Sequence, residues 1–389
     1  MKNYHCDRKF DSLKIDIEKK TLYSCWKATG EHIDFNWLEK NTGKIFNTKN
    51  LQSERIEMLD NKRVKSCEQT CFSKEDQNIW SPRLQYKGYL KENKIVESYP
   101  KTLDVTISGE CNMSCSYCCK EYSSTWRNDI IKNGDYAGVS GHSNRYKLSA
   151  HDLIISKISQ KKRTETKSYK IIKNEILLLI PKVQQLSVSG GEPFLNDKLF
   201  DLLELAKDVP QIQIISGLGI NAIRFKNCIQ KIKTYNNISL RISVDSTGEN
   251  YEFNRYGNSW KNFLNNLQII YDYKINFWFN TTYCNLTILD YVNFYEQFPE
   301  IRKNFNVVYD PSFLSPHVLD EATKEHLINQ MLKSKVSNLN STTDLIKILS
   351  QVPNEHDRKN FEYFVKEFSK RRNKKLNFLP DSLKVWLKI

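Results

Sequence analysis

The sequence predicts an α/β fold built from parallel βα units, flanked by an irregular N-terminal zone and a helical C-terminal zone. Three observations predict it. Between about residues 100 and 312, β-like apolar runs alternate with stretches of helical spacing. Residues 1 to 95 carry four cysteines and only short β-like runs such as "SLKIDI" and "TLYSCW", too little apolar periodicity for a core of their own. After residue 313 no convincing strand pattern remains.

The strands expected in the central zone are "TLDVTIS" (102 to 108), "QLSVSG" (185 to 190), "IQIISG" (212 to 217), "LRISVD" (240 to 245), "NFWFNTT" (276 to 282) and "NVVYD" (306 to 310). Between them "SYKIIKNEILLLIPKV", "DKLFDLLELAKDV" and "NFLNNLQIIYDY" repeat apolar residues at three and four, the helical period. Strands alternating with helices make right-handed parallel crossovers, which leaves an open doubly wound sheet or a partial barrel. "TKEHLINQMLKS", "STTDLIKILSQV" and "DRKNFEYFVKEFSKRR" read as amphipathic C-terminal helices.

The 389 residues are 39% hydrophobic and 12% aromatic, with no apolar run long enough for a membrane span. "MKNYHCDRKFDSLKIDI" has no apolar stretch of signal-peptide type, so a cytoplasmic location is expected. A reducing compartment disfavours structural disulfides and favours metal or catalytic use of cysteine. The net charge is +14, from 59 basic and 45 acidic residues. It is compatible with an anionic partner such as a nucleotide or nucleic acid. The densest runs, "KKRTETK" (161 to 167) and "KRRNKK" (370 to 375), read more simply as solvated faces, and lysine, asparagine and isoleucine usage is what an A+T-rich genome produces.

"GECNMSCSYCCKEY" (109 to 122) places Cys111, Cys115, Cys118 and Cys119 just past the end of the first central strand. In parallel α/β architectures that end of a strand is where chemistry is placed. Three thiolates at C-x3-C-x2-C spacing in a loop can converge on one metal centre. A zinc site wants a fourth ligand, and Cys119, adjacent to Cys118, is a poor fourth corner. An iron–sulfur cluster held by three cysteines, with one iron left open, fits the pattern better.

Cys111, Cys115 and Cys118 match the signature of the radical S-adenosylmethionine (radical SAM) superfamily, and "CNMSCSYC" is similar to its commonest form. "SVSGGEPFLN" (187 to 196) adds Gly190, Gly191, Glu192 and Pro193, which resemble the family's GGEP motif. Two glycines let backbone approach a ligand closely, and a carboxylate beside them can pair with an ammonium group. "ISVDSTGENYEFNRYGNSW" (242 to 260) is similar to the family's fourth-strand segment. The resemblance implies a partial (β/α)6 TIM-like barrel, a [4Fe–4S] cluster on the cysteine triad, and S-adenosylmethionine bound at the open iron. It implies Tyr117 against the adenine, Glu192 at the methionine ammonium, Ser243 and Asp245 at the ribose, and Arg255 at the methionine carboxylate. Ser216 stands where relatives place a polar residue near the ribose, although "ISGLGINA" departs from their usual threonine–asparagine–glycine. One-electron reduction would cleave the cofactor to a 5′-deoxyadenosyl radical that abstracts hydrogen from a polar substrate: a small metabolite, a nucleotide or sugar, or a peptide. An electron donor such as flavodoxin or ferredoxin would supply the electron. Two alternatives are a nucleic acid substrate and a non-catalytic metal-binding protein with a structural zinc site.

Cys6, Cys25, Cys67 and Cys71 precede "FSKEDQNIWSPR", which carries Glu75, Ser81 and Arg83. Four thiolates do not by themselves distinguish zinc from iron–sulfur. The arrangement resembles the twitch segment of a subset of the superfamily, which implies a second, auxiliary [4Fe–4S] cluster on these four cysteines. Relatives often have two consecutive cysteines where this chain has Cys25 followed by Trp26. The expected organisation is a twitch-like segment at 1–95, the barrel at 100–312 and a helical extension at 313–389.

Cys119, Cys228 and Cys284 read as buried apolar thiols. Cys284 and Tyr283, after the fifth strand, are the candidates to donate a hydrogen atom to a substrate radical. The histidines form no ligand spacing. "DYAGVSGHSNRYKL" (135 to 148) is expected to be a polar loop over the barrel mouth.

Overall fold

The computed structural model describes residues 3–76, 81–86, 99–149 and 166–389. Most of the basic run at 161–167 therefore lies outside the described residues.

All six central strands form. They are β4 (Thr102–Thr106), β5 (Gln185–Ser189), β6 (Gln211–Ser216), β7 (Ile238–Ser243), β8 (Asn276–Tyr283) and β9 (Lys303–Val307). Two further strands come from the short N-terminal runs, β1 (Ser12–Asp16) and β2 (Thr21–Tyr23), and a third is the two-residue β3 (Glu31–His32). The strand order is β3-β2-β1-β4-β5-β6-β7-β8-β9, an open sheet that does not close on itself. β1 is parallel to β4, β4 to β5, β5 to β6 and β8 to β9, whereas β2 is antiparallel to both β1 and β3. The central strands follow one another in chain order, which is the partial (β/α)6 barrel plan. The last strand begins three residues before the apolar run "NVVYD". All five of its residues are only half-buried, so periodicity marks its position poorly.

The helices used below are α1 (Lys49–Leu59), α2 (Ser124–Asn133), α3 (Lys167–Leu179), α4 (Lys198–Leu205), α5 (Ala222–Ile232), α6 (Gly248–Asn254), α7 (Trp260–Asp272), α8 (Tyr291–Gln297), α9 (Glu321–Lys333), α10 (Asn340–Leu349), α11 (Glu355–Arg372) and α12 (Asp381–Leu387). Several begin at a side-chain cap of the expected kind. Ser123 accepts from the Trp126 N–H, Asn221 from Arg224, Ser259 from Asn262 and Asn354 from Asp357. Among the described residues no helix is long and apolar enough to cross a membrane.

Chain contacts divide the protein into two compact units. The first contains Met1–Ser108, Ile158–Ile214 and Tyr235–Ser239. The second contains Gly109–Lys157, Ile215–Thr234 and Leu240–Ile389. The N-terminal zone read from the sequence thus falls in the first unit, the C-terminal helices in the second, and the central zone contributes to both.

In the first unit Leu13, Ile15, Leu103, Val105, Leu186, Val188, Ile212 and Ile214 are fully buried, as expected of parallel strands covered on both faces. The second unit has an aromatic core in which α2, α8 and α9 to α12 meet. Trp126 packs there on Tyr136, Tyr146, Phe364 and Phe368. The polar segment at 135–148 is fastened to α11: the Asn360 amide bonds Ser140 on both its donor and acceptor sides, and Arg371 donates to the carbonyls of Gly134 and Asp135. Arg371 and Arg372 are 4% and 2% exposed, so the arginines of "KRRNKK" belong to packing and not to a solvated face.

Candidate active site

The cysteine loop of the second unit is held from several sides. The Ser114 and Ser116 N–H groups donate to the carbonyls of Tyr256 and Asn254, at 2.8 Å each, so the loop runs along the end of α6. The Ser116 hydroxyl donates to Asn254 Oδ1 at 2.6 Å, and Asn112 Nδ2 donates to the Gly219 carbonyl at 2.7 Å. The first turn of α2 closes the other side: Ser124 and Thr125 donate to the Cys111 carbonyl, and the Trp126 indole N–H donates to the Cys115 carbonyl at 2.8 Å. Gly257, at φ +107°, lets this loop pass close by, because a Cβ there would stand 2.2 Å from the Asn112 carbonyl oxygen. These bonds hold the loop backbone from both sides of the thiols.

Cys111 and Cys115 are 8% and 9% exposed and pack with Met113, Tyr117 and Cys118. The Cys118 thiol is pushed well up by its neighbour Cys119, by burial and by the negative charge of Cys115 and Cys111. Cys119 is buried, and its thiol is lowered by Cys118 and by the Arg145 guanidinium, against burial. The Cys118 thiol therefore senses Cys115 and Cys111. Three thiols gathered in one loop suit a cluster, which binds them as thiolates and supplies the compensating positive charge.

Tyr117, Asp245 and Arg255 meet beside them. The Tyr117 hydroxyl donates to Asp245 Oδ2, the same oxygen accepts from Arg255 Nε at 2.9 Å, and Asp245 Oδ1 accepts from the Thr282 N–H at 2.6 Å. Arg255 Nη2 lies 2.8 Å from Asp245 Oδ2 and donates to the Tyr117 oxygen at 2.6 Å. Burial pushes the Asp245 carboxyl up, opposed by Arg255, Tyr117 and Thr282. Arg255 Nη1 points to Cys115 Sγ at 3.9 Å, which places a fixed positive charge against a triad thiol. Three residues that the sequence assigns to the cofactor's adenine, ribose and carboxylate are thus each other's partners in this structure.

Ser216 is buried and its hydroxyl accepts from the Leu218 N–H at 3.0 Å, which shapes the turn after β6. Ser243 ends β7, partly exposed. Tyr283 and Cys284 are fully buried; Tyr283 packs on Tyr291 and Phe305, and Cys284 lies against Asn254 and Thr287. Cys228 is buried on α5.

The GGEP turn lies in the first unit, tied to the end of β4. The Gly191 N–H donates to the Ser108 carbonyl at 2.8 Å, and a Cβ on Gly190 would stand 2.6 Å from that oxygen. Asn196 Nδ2 donates to Ser108 Oγ at 3.1 Å. Glu192 is 1% exposed and caps the 3-10 turn Pro193–Leu195.

The N-terminal thiols also lie in the first unit. Cys6, Cys67 and Cys71 are buried and Cys25 is half-buried, and none is in a disulfide. Burial pushes Cys6 and Cys67 up to about 12, with added repulsion from Cys25 and Cys71 in both cases and from Cys6 at Cys67. The four thiols are therefore within electrostatic reach of one another. Among the described residues no three His, Cys, Asp or Glu side chains converge as the ligands of a single metal ion. Glu75, Ser81 and Arg83 form one network in which Ser81 and Arg83 are buried and Glu75 half-buried: Ser81 and Arg83 both donate to the Glu75 carboxylate, and Arg83 Nη1 reaches the carbonyls of Asn3 and His5 at 2.9 and 3.0 Å. This fastens the strand of chain leading into Cys6.

Comparison with known proteins decides the family. Residues 105–301 match the profile of the "Radical SAM superfamily", half of the chain. The chain belongs to the radical SAM superfamily. Such proteins are enzymes that use a [4Fe–4S] cluster and S-adenosylmethionine, and the Cys111, Cys115 and Cys118 loop lies inside the matched segment. A protein named "Probable GTP 3',8-cyclase" from Methanocaldococcus jannaschii is 25% identical over 146 residues, which cover 38% of this chain and 37% of that protein. Among solved structures, "Native anSMEcpe with bound AdoMet" is 16% identical over 54% of this chain and 52% of that one, with a TM-score of 0.36. Streptococcus suis SuiB bound to precursor peptide SuiA is 12% identical over 82% and 68%, also at 0.36.

Sequence reasoning missed four residues that shape these sites. Lys9 lies among the N-terminal thiols, Trp126 and Asn254 hold the triad loop, and Arg372 Nη2 donates to Ser114 Oγ inside it at 3.0 Å. The only local signal was that Ser24 and Ser66 each precede a cysteine.

Proposed function

We propose that this protein is a twitch-type radical SAM enzyme that cleaves S-adenosylmethionine reductively and abstracts hydrogen from a polar substrate in the cytoplasm. The observation that carries the reading is the triad loop: three thiols at C-x3-C-x2-C spacing, Cys111 and Cys115 buried and Cys118 half-buried, with the Arg255 guanidinium at Cys115. Bound there, the cluster and S-adenosylmethionine supply a one-electron cleavage that yields a 5′-deoxyadenosyl radical. The chain's own part is to fix the loop through Ser116, Asn254 and Trp126, to keep the thiols away from water, and to hold a positive charge beside them. Glu192 is the candidate partner for the methionine ammonium. Cys284 and Tyr283, both buried, are the candidate hydrogen donors to a substrate radical.

Cys6, Cys25, Cys67 and Cys71 hold the auxiliary [4Fe–4S] cluster in this reading. Four thiols that repel one another, and a Glu75–Ser81–Arg83 network locking the Cys6 segment, support it. Flavodoxin or ferredoxin is the electron donor. The substrate is a small molecule, nucleotide, sugar or peptide, and the named relative makes GTP the first compound to offer.

Anaerobic reconstitution followed by iron, sulfide and zinc analysis tests the assignment, with S-adenosylmethionine cleavage under dithionite as the activity. About eight iron per chain is expected, falling to about four in Cys111→Ala/Cys115→Ala/Cys118→Ala, with loss of 5′-deoxyadenosine formation. Iron that stays unchanged in the triple variant would overturn the reading. About four iron with about one zinc would keep the radical chemistry and make the N-terminal thiols a zinc staple.

A further inference from the structure

Lys9 is 1% exposed, an unusual place for a lysine. Its Nζ donates to Ser24 Oγ and Ser66 Oγ, each at 2.5 Å, and forms an ion pair with Glu54 of α1. Ser24 immediately precedes Cys25, and Ser66 immediately precedes Cys67. Lys9 itself follows Cys6 by three residues, and its own N–H donates to the Cys6 carbonyl at 3.0 Å. One ammonium therefore gathers three chain segments that lie far apart in sequence and carry three of the four N-terminal thiols.

The local bonding of the serines makes this arrangement directional. Ser12 Oγ donates to the Ser24 carbonyl at 2.9 Å, and the Thr29 N–H donates to the Ser66 carbonyl at 2.8 Å. The backbones of both serine–cysteine pairs are thus held by strand and loop partners, while their hydroxyls turn to Lys9. A fully apolar residue at position 9 would leave two buried hydroxyls and Glu54 without their shared donor.

We propose that Lys9 is the positioning residue of the N-terminal thiol quartet, orienting Cys6, Cys25 and Cys67 and supplying positive charge to the metal–tetrathiolate they form. This rests on the reading of the quartet as a metal site. A four-thiolate centre has a net negative charge with either a zinc ion or an oxidised [4Fe–4S] core, so a buried cation nearby stabilises it in both cases. Glu54, 15% exposed, is the lysine's counterion, so the ammonium acts on the thiols as one end of a short dipole as well as through its serine bonds.

The test is made in the Cys111→Ala/Cys115→Ala/Cys118→Ala background, so that only N-terminal metal is counted. Parent, Lys9→Met, Lys9→Arg and Ser24→Ala/Ser66→Ala proteins are loaded anaerobically, then challenged with a chelator. Lys9→Met is expected to lower metal retention by roughly 10- to 100-fold, as loss of an outer-shell partner does. The serine pair variant keeps the charge and loses the orienting bonds, so its metal retention falls while its midpoint potential stays near the parent value. Lys9→Met shifts the potential of an iron–sulfur centre downward, because the reduced, more negative state loses its countercharge, and Lys9→Arg restores it in part. Should Lys9→Met fail to fold by far-UV circular dichroism, the serine pair decides. Parent-like chelator resistance in the serine variant would overturn the proposal. So would a Lys9→Met protein that merely melts lower and otherwise matches the parent. A parent protein that binds neither iron nor zinc would overturn the metal-site reading itself, and the Lys9 role with it.

Discussion

Asp245→Asn separates a paired buried charge from an unpaired one. Asp245 and Arg255 side chains are 1% and 5% exposed, and the carboxylate accepts from Arg255, from Tyr117 and from the Thr282 N–H. An amide cannot reproduce this. If its oxygen faces Arg255 and Tyr117, its NH2 meets the Thr282 N–H; flipped, the NH2 meets the guanidinium. Either way Arg255 keeps its charge and loses its counterion. Removing one partner of such a pair costs about 3–5 kcal/mol. For a unit of 150–250 residues each kcal/mol moves the melting temperature by roughly 2–4 °C, so a fall of about 6–20 °C is expected. Thermal unfolding of the metal-free protein by near-ultraviolet circular dichroism measures it. Asp245→Asn/Arg255→Met should recover a large part of the loss, because the uncompensated charge is gone. A single variant that melts within about 2 °C of wild type, on that same scale, would refute the reasoning, as would a double variant worse than the sum of the singles.

The remaining predictions test the two thiol sites and one titrating group. Gly257→Ala places a Cβ 2.2 Å from the Asn112 oxygen at φ +107°, so the triad loop must shift. Iron should fall by about half, to the roughly four atoms of one cluster, with N-terminal metal kept. Glu75→Gln unpairs Arg83, which is 3% exposed on its side chain and holds the Asn3 and His5 carbonyls. N-terminal metal should be lost and the N-terminus become sensitive to protease, while triad iron stays. Burial pushes the His317 imidazole down from its ordinary value of 6.5, with Lys324 adding to this and Asp357 opposing. Below about pH 6.5 the unfolded chain binds a proton that the folded chain resists, so this contribution is full at neutral pH and is lost as pH falls through the folded value. His317→Gln should flatten that part of the slope in urea melts between pH 7.5 and 5.5.

The parts that were legible in the sequence are those written over short stretches. Each central strand announces itself by a run of apolar residues, and each motif loop by its residue types: sulfur at 111, 115 and 118, paired glycines and a carboxylate at 190 to 192. The N-terminal strands were visible as "SLKIDI" and "TLYSCW", but not their destination. The pairing of β1 with β4 joins residues ninety apart along the chain, Ser12 against Thr102.

Local chemistry singled out residues one by one, but not whom they would choose as partners. Tyr117, Asp245 and Arg255 were each read separately toward the cofactor, and the structure pairs them with one another. The basic run at 370 to 375 looked solvated, yet Arg372 is inserted among Trp126, Tyr136 and Ser114. A charge run carries little local sign of burial: Phe368, one turn back, stacks on Arg372, but Trp126 and Tyr256, which enclose it further, come from more than a hundred residues away. By itself the sequence determined the βα alternation, the cysteine triad and the GGEP turn, since periodicity, turn chemistry and ligand spacing act over a few residues. Only the tertiary structure decided that Lys9 joins the Cys6, Cys25 and Cys67 segments and that Arg372 reaches the triad loop. A buried charge finds its partners through the whole fold, and nothing in its neighbours along the chain names them.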